Sequence, residues 1–165
     1  MHPHLALAFS LLVLFAVFPA AWAADKENKI PDDLRAALEK ADQFELLSLS
    51  PDEPKEKPKD GFHGWQVLGK TTVQDAETRK RLLAALEKGV ADNKGVVARC
   101  FNPRHGIRVT HEGKTADFVI CFECFQVKAF AGDKPASFLV TDSPQPAFDQ
   151  VLKDAKVPLP APARK

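Results

Sequence analysis

The sequence predicts a single small domain of the α+β class, an antiparallel β-sheet with two or three helices packed on it. Short strand-like stretches joined by tight turns fill residues 96–141, and a parallel sheet would need helices alternating with those strands. Apolar residues at helical spacing occur only before and after this region. The folded part is expected to span residues 24–157, enough for one hydrophobic core.

The N-terminal segment has the plan of a secretory signal peptide. An apolar run from Leu5 to Phe18 precedes Pro19 and then Ala21-Trp22-Ala23, with small residues at alternate positions. We therefore expect residues 1–23 to be a signal peptide and the mature protein to be periplasmic or secreted. The alternative is an uncleaved anchor over Leu5 to Ala24, since about 20 apolar residues can span a bilayer. After signal cleavage we expect no membrane span.

The charge balance argues against whole classes of partner. The chain carries 23 Lys and Arg against 22 Asp and Glu, a formal net charge of +1. Such a balance gives no electrostatic reason to bind nucleic acid or an anionic membrane. We expect no nucleic-acid partner, and the partner is an unknown protein or small molecule.

The first half of the domain is predicted as a helix, a strand, a loop and a second strand. The helix begins at Pro31, which suits a first turn, and FELLSL at Phe44–Leu49 is typical of a strand. Residues 51–61 (PDEPKEKPKDG) contain prolines and charges but no large apolar residue, which predicts an exposed charged loop. Residues 62–73 return to strand character.

The second half begins with the clearest helix, over 76–91, capped by Asp75. Ser143 is expected to cap a final helix, and residues 158–165 are expected to be a disordered Pro-rich tail. Between the two helices the pattern predicts four strands, at 96–101, 107–111, 115–130 and 136–141.

The three cysteines are candidates for a disulfide, because an exported protein meets an oxidising compartment. A hairpin turn is expected near residues 111–113, and a three-residue loop there requires only Gly113 to adopt a left-handed conformation. That register places Cys100 opposite Cys124, and a two-residue loop gives the same pairing if NPRHG contains a bulge. We predict a Cys100–Cys124 disulfide, with Cys121 left as a thiol on the opposite face.

A metal site is the alternative use of these cysteines. Cys100, His105, Cys121 and Cys124 would form a Cys₃His set, and zinc or copper would be the cofactor. The C-x-x-C segment has strand-like flanks, whereas zinc ligands at this spacing lie on tight turns. The disulfide with no cofactor is therefore preferred.

Arg104-His105-Gly106-Ile107-Arg108 spells RHGxR, which resembles the phosphate-binding motif of the histidine phosphatases. The resemblance implies a nucleophilic His105 and anion contacts from Arg104 and Arg108. It covers five residues, and the alternation from Ile107 to His111 makes the motif lead into a strand and not a helix. We interpret NPRHG as a kink or bulge in a strand, and Glu123 as a partner for Arg104 or Arg108.

The sequence contains no convincing catalytic set and assigns the chain to no family. The leading functional hypothesis is therefore a non-enzymatic binding or structural module of the cell envelope, stabilised by a disulfide. The alternative is a metal-binding protein that uses the cysteines and His105. A phosphate-ester hydrolase that uses the RHG segment is the third hypothesis.

Overall fold

The computed structural model describes residues 28–161, so the predicted signal peptide and residues 162–165 lie outside the described part. The elements are α1 (Asp32–Glu39), β1 (Gln43–Leu49), β2 (Val67–Thr72), α2 (Ala76–Asp92), β3 (His105–His111), β4 (Lys114–Cys121), β5 (Gln126–Ala131), β6 (Lys134–Leu139) and α3 (Gln145–Asp154). The strands form one antiparallel sheet in the order β2-β1-β3-β4-β5-β6. The predicted α+β class is confirmed.

The helices cover one face of the sheet. Their buried apolar side chains pack on those of the strands, and the largest of the fully buried side chains are Phe44, Phe118 and Phe148. Apolar residues at helical spacing give each helix one face to bury, which is why these segments dock on the sheet. Asp75 caps α2 as predicted, since its side chain accepts a hydrogen bond from Thr78 N at 2.7 Å.

The opposite face carries a smaller apolar cluster covered by loops. Its fully or nearly buried members are Leu47, Leu49, Phe62 and Val119. Residues 51–66, which include the predicted charged loop, bring Phe62 and Trp65 onto this face. Phe62 and Trp65 exchange two backbone hydrogen bonds around His63 and Gly64, both at positive φ, so this part of the predicted strand at 62–73 is a tight turn.

Two of the predicted strands differ in the structure. Residues 96–101 are not a strand, because the chain after α2 crosses the end of the sheet before it enters β3. Residues 115–130 form two strands, β4 and β5, separated by a turn at 122–125. The apolar run FVICFECFQV hides this turn, since Phe122 and Cys124 are buried within it.

The β3–β4 hairpin has a two-residue turn, so the predicted three-residue loop is wrong. His111 pairs with Lys114, and both Glu112 (φ 50°) and Gly113 (φ 75°) adopt left-handed conformations. The Glu112 backbone N–H also donates to Asp42 Oδ2 at 2.9 Å, which helps to hold that conformation. The turn therefore tolerates one non-glycine residue in strained geometry.

The NPRHG segment spans the start of β3: residues 102–104 precede the strand, and the Arg104 N–H donates at 3.3 Å to the carbonyl of Ile120, the residue that faces His105. His105 and Gly106 lie in regular register with both β1 and β4. Gly106 is required for packing: a Cβ atom there would lie 2.8 Å from Phe62 Cε1. The glycine of the motif thus allows the close approach of an aromatic ring.

The C-terminal region differs in two details. Pro144, and not Ser143, occupies the N-cap position of α3, and the Ser143 hydroxyl lies 2.8 Å from Thr141 Oγ1. Of the tail expected to be disordered over residues 158–165, only 158–161 are described: Leu159 packs on the core, and the Ala161 carbonyl accepts a hydrogen bond from Arg104. Between residues 28 and 161, no helix has the length and apolar character to cross a membrane.

Candidate functional site

The three cysteines meet at one end of the sheet, and we call them the cysteine cluster. Cys121 and Cys124 are joined by a disulfide across the β4–β5 turn. The Sγ atom of Cys100, which is a free thiol on an exposed residue, lies 3.0 Å from Cys124 Sγ. Cys124 is therefore within reach of both other sulfur atoms.

The turn that carries the disulfide forms because Phe122 has a site in the core. Its ring lies 5.3 Å from that of Phe148 and 5.2 Å from that of His105, measured between centroids. Phe125 N–H donates to the Phe122 carbonyl at 3.2 Å and closes the turn, with Phe125 at φ 58°. Burial of Phe122 thus compensates for turn residues that have little local preference for this conformation.

Cys100 is held beside this turn by the backbone that precedes it. Ala98 N–H donates to the Cys124 carbonyl at 3.2 Å. The Gln126 side chain donates to the Ala98 carbonyl at 2.9 Å. The segment thus lies along the turn like a strand without belonging to the sheet, and Cys100 follows two residues later.

Backbone N–H groups surround the disulfide sulfurs. Asn102 N–H donates to Cys124 Sγ at 3.3 Å, and Cys124 N–H donates to Cys121 Sγ at 3.2 Å. The Asn102 carbonyl oxygen lies 3.4 Å from Cys121 Sγ, where a thiol on Cys121 would be able to donate to it. Hydrogen bonds from N–H groups stabilise negative charge on sulfur, whereas the Asn102 carbonyl favours a protonated Cys121.

The predicted Cys100–Cys124 disulfide is wrong for this structure, which joins Cys124 to Cys121 instead. The prediction assumed that residues 115–130 form one strand, on which Cys121 and Cys124 would point to opposite faces. The turn at 122–125 reverses the chain between them and brings their Cα atoms within 5.1 Å. Cys100 is nevertheless adjacent to Cys124, as the prediction required.

The fourth predicted metal ligand, His105, lies apart from the cysteine cluster. Its ring is 1% exposed, on the helix-covered face, between Phe122 and Phe148. Its Nε2 atom is 2.8 Å from Asp149 Oδ1 on α3. In the oxidised form, no group of three or more His, Cys, Asp or Glu side chains within residues 28–161 is placed to hold a metal ion.

His105 and Asp149 form a polar pair inside an apolar layer. Burial raises the pKa of the Asp149 carboxyl, but the hydrogen bond and charge of His105, with the charge of Lys153, lower that pKa below its ordinary value overall. His105 Nδ1 and Ser48 Oγ are both buried without a hydrogen-bond partner in the described part of the chain. These two residues are directly opposite in the β1–β3 register, so their side chains share a face.

The residues predicted to contact an anion do not form one site. Arg104 Nε donates to Glu123 Oε1 at 2.8 Å, as the predicted pairing allowed. Arg108 donates to both carboxylate oxygens of Asp117, at 2.8 and 2.7 Å, and this bond raises the pKa of its guanidinium. Each arginine already has a carboxylate partner, and His105 is inaccessible to substrate, so the geometry gives the phosphatase hypothesis no support.

Asp117 also binds His63 on the loop-covered face of the sheet. His63 Nε2 lies 2.8 Å from Asp117 Oδ2, and its ring stacks on that of Phe130 with a centroid distance of 3.8 Å. Asp117 is 6% exposed and therefore needs these partners. The contacts join the 62–65 turn to the sheet.

Comparison of the chain with family models, curated proteins and solved structures gave no match.

The sequence identified the three cysteines and His105 but missed the residues that complete their surroundings. Asp149 and Asp117 were not singled out, and their histidine partners, His105 and His63, are 44 and 54 residues away in the chain. Asn102 acts through backbone atoms, which carry no side-chain signal. The cysteine cluster is the part of the described structure with the clearest chemical capacity, namely thiol–disulfide exchange.

Proposed function

We propose that this chain is an exported module of the cell envelope that exchanges its disulfide with the thiols of a partner. The observation that carries the proposal is the 3.0 Å distance between the Cys100 thiol sulfur and Cys124 Sγ of the disulfide. Disulfides exchange when a thiolate attacks a disulfide sulfur, and here attacker and target are already adjacent. In this proposal, the binding module that the sequence predicts carries out thiol–disulfide exchange with its partner.

The first step takes place within the chain. The Cys100 thiol loses its proton to solvent, and its thiolate attacks Cys124 Sγ. The Cys100–Cys124 bond forms while the Cys121–Cys124 bond breaks, and the electron pair leaves on Cys121. The Cys124 N–H group, 3.2 Å from Cys121 Sγ, supports this leaving thiolate.

The second step involves the partner, a protein or small molecule with two thiols. Cys121 and Cys124 are each only 1% exposed, whereas Cys100 is an exposed residue. A partner thiolate therefore attacks Cys100 Sγ of the Cys100–Cys124 form and releases the Cys124 thiolate. The second partner thiolate then attacks the sulfur of the first, releases Cys100 and completes the partner disulfide. The partner is oxidised by two electrons and the cysteine cluster is reduced by two.

The test measures disulfide isomers and reduction rates, with dithiothreitol as the dithiol. Samples of the full chain are quenched in acid, alkylated and mapped by peptide mass spectrometry. We expect both Cys121–Cys124 and Cys100–Cys124 isomers in the wild type. In Cys100→Ser, we expect reduction to be at least about tenfold slower, because the remaining sulfurs are buried. Cys121→Ser should form only the Cys100–Cys124 bond.

The matched control is Val97→Ser, a change three residues away at a side chain that is 52% exposed. It should be reduced at the wild-type rate, and circular dichroism should show the same fold for every variant. Equal reduction rates for Cys100→Ser and wild type, or a single isomer in the wild type, would overturn the proposed exchange.

A further inference from the structure

The reduced cysteine cluster brings three thiols together at the β4–β5 turn. A dithiol that supplies two electrons and two protons cleaves the Cys121–Cys124 bond, and the turn itself remains closed by the Phe125 to Phe122 backbone hydrogen bond. Cys100 stays beside Cys124 because the Ala98 backbone is bonded to Cys124 and Gln126. Three sulfur ligands from two chain segments then face one another without a covalent bond between them.

Three thiolates suit a soft metal ion. Thiolates select Cu(I) and zinc among biological metals, but structural zinc sites are closed by four protein ligands. Cu(I) is a soft d¹⁰ ion that is stably held by only three thiolates. Three thiolates therefore match a Cu(I) site more closely than a structural zinc site with four protein ligands.

Within residues 28–161, neither His105 nor Glu123 is free to serve as a fourth ligand. His105 lies on the helix-covered face, with Nε2 bound to Asp149 at 2.8 Å, whereas Cys121 follows Ile120 on β4 and points to the other face. Glu123, between the two cysteines of the turn, is bound to Arg104 at 2.8 Å. Recruiting His105 or Glu123 would require an existing ion pair to break.

The backbone also matches a thiolate–metal site. The N–H groups of Asn102 and Cys124 donate to two of the three sulfurs. A Cu(I) ion with three thiolates carries a net charge of −2, and N–H donors stabilise such charge on sulfur. The donors belong to the folded backbone, so they are in place before a metal ion arrives.

We propose that the reduced cysteine cluster binds one Cu(I) ion through Cys100, Cys121 and Cys124, without His105. This inference goes beyond disulfide exchange, since it requires only that the reduced form be reachable. Oxidation of the cluster would release the ion, so binding and the disulfide exclude each other.

The test titrates Cu(I) into the anaerobic, reduced full chain in competition with a chromophoric Cu(I) chelator. We expect one equivalent to bind, and each single Cys→Ser change at the cluster to weaken binding at least about a hundredfold. His105→Gln, checked for folding by circular dichroism, should bind with wild-type affinity. If that variant does not fold, X-ray absorption at the copper edge of the wild type replaces it and should show sulfur neighbours only.

The copper site would be overturned by no binding in the reduced wild type, by an affinity unchanged in Cys100→Ser, or by an imidazole nitrogen bound to copper. Tighter binding of Zn(II) than of Cu(I) relative to matched chelators would also overturn it. None of these results affects the exchange proposal, because that is read from disulfide isomers in the absence of metal. Failure of the two proposals is therefore distinguishable.

Discussion

The Nε2 atom of His105 on β3 lies 2.8 Å from Oδ1 of Asp149 on α3. This contact joins the sheet to the last helix inside a layer of mostly apolar side chains. The His105 side chain is almost fully buried, whereas the Asp149 side chain is 24% exposed. The pair therefore connects the core to the protein surface. It also accounts for a histidine in the RHG segment by packing and not by phosphate chemistry.

Asp149→Asn should remove a contribution to stability that depends on pH. Because the folded-state pKa of Asp149 lies below its unfolded value, its contribution is fully present above an unfolded pKa of about 3.9 and is lost as the pH falls through the folded value. We expect the difference in unfolding free energy between wild type and Asp149→Asn to shrink as the pH falls below about 4. Urea unfolding at several pH values measures it.

Asp154→Asn is the matched control, since it removes a carboxylate from the same helix that bonds to Gln150 and not to His105. A difference for Asp149→Asn that grows as the pH falls below about 4 would contradict the sign of the effect.

Ser48→Ala should leave the protein as stable as the wild type or more stable by about 1 kcal/mol, because Ser48 Oγ is buried without a hydrogen-bond partner in the described chain. Removing an unsatisfied hydroxyl removes its desolvation cost. Chemical unfolding monitored by circular dichroism tests this, with the exposed Ser137→Ala as control. A loss of more than about 1 kcal/mol would indicate that a buried water bridges Ser48 Oγ and His105 Nδ1.

The sequence predicted the elements whose patterns are local. The second helix begins and ends within one residue of the prediction, and the strand FELLSL is β1. The turn at 122–125 was missed because its cause, a site for Phe122 between His105 and Phe148, exists only after the sheet and α3 have assembled. The disulfide pairing depends on that turn, so it was missed with it.

The same distinction between local and distant causes applies to the candidate site. The spacing of Cys121 and Cys124 was visible, but which of them faces Cys100 depends on the path of residues 96–104 across the end of the sheet. The separation of His105 from the cysteines depends on the face of β3 on which its side chain lies. A five-residue motif contains no information on the chain path or on the face of the strand. This is why RHGxR resembles a phosphatase motif although the fold gives phosphatase chemistry no support.

Gly106→Ala should destabilise the protein by about 2 kcal/mol, since the added Cβ would lie 2.8 Å and 3.0 Å from two atoms of the Phe62 ring. Combining it with Phe62→Leu should relieve the clash. We expect the double variant to be more stable than the sum of the two single effects predicts. Thermal and urea unfolding of the wild type, the two single variants and the double variant provide the double-mutant cycle. Strictly additive effects would show that the close approach of Phe62 does not explain the requirement for Gly106.

Arg108→Gln should destabilise the protein by about 2 kcal/mol, because it removes both Arg108 hydrogen bonds from a carboxylate that is almost fully buried. The loss should be smaller than for a fully buried pair, since the Arg108 side chain is 44% exposed.

Arg81→Gln is the matched control, because Arg81 is an exposed arginine on α2 that contacts Thr78. Equal losses for Arg108→Gln and Arg81→Gln in urea unfolding would show that the Arg108–Asp117 pair does not stabilise the fold.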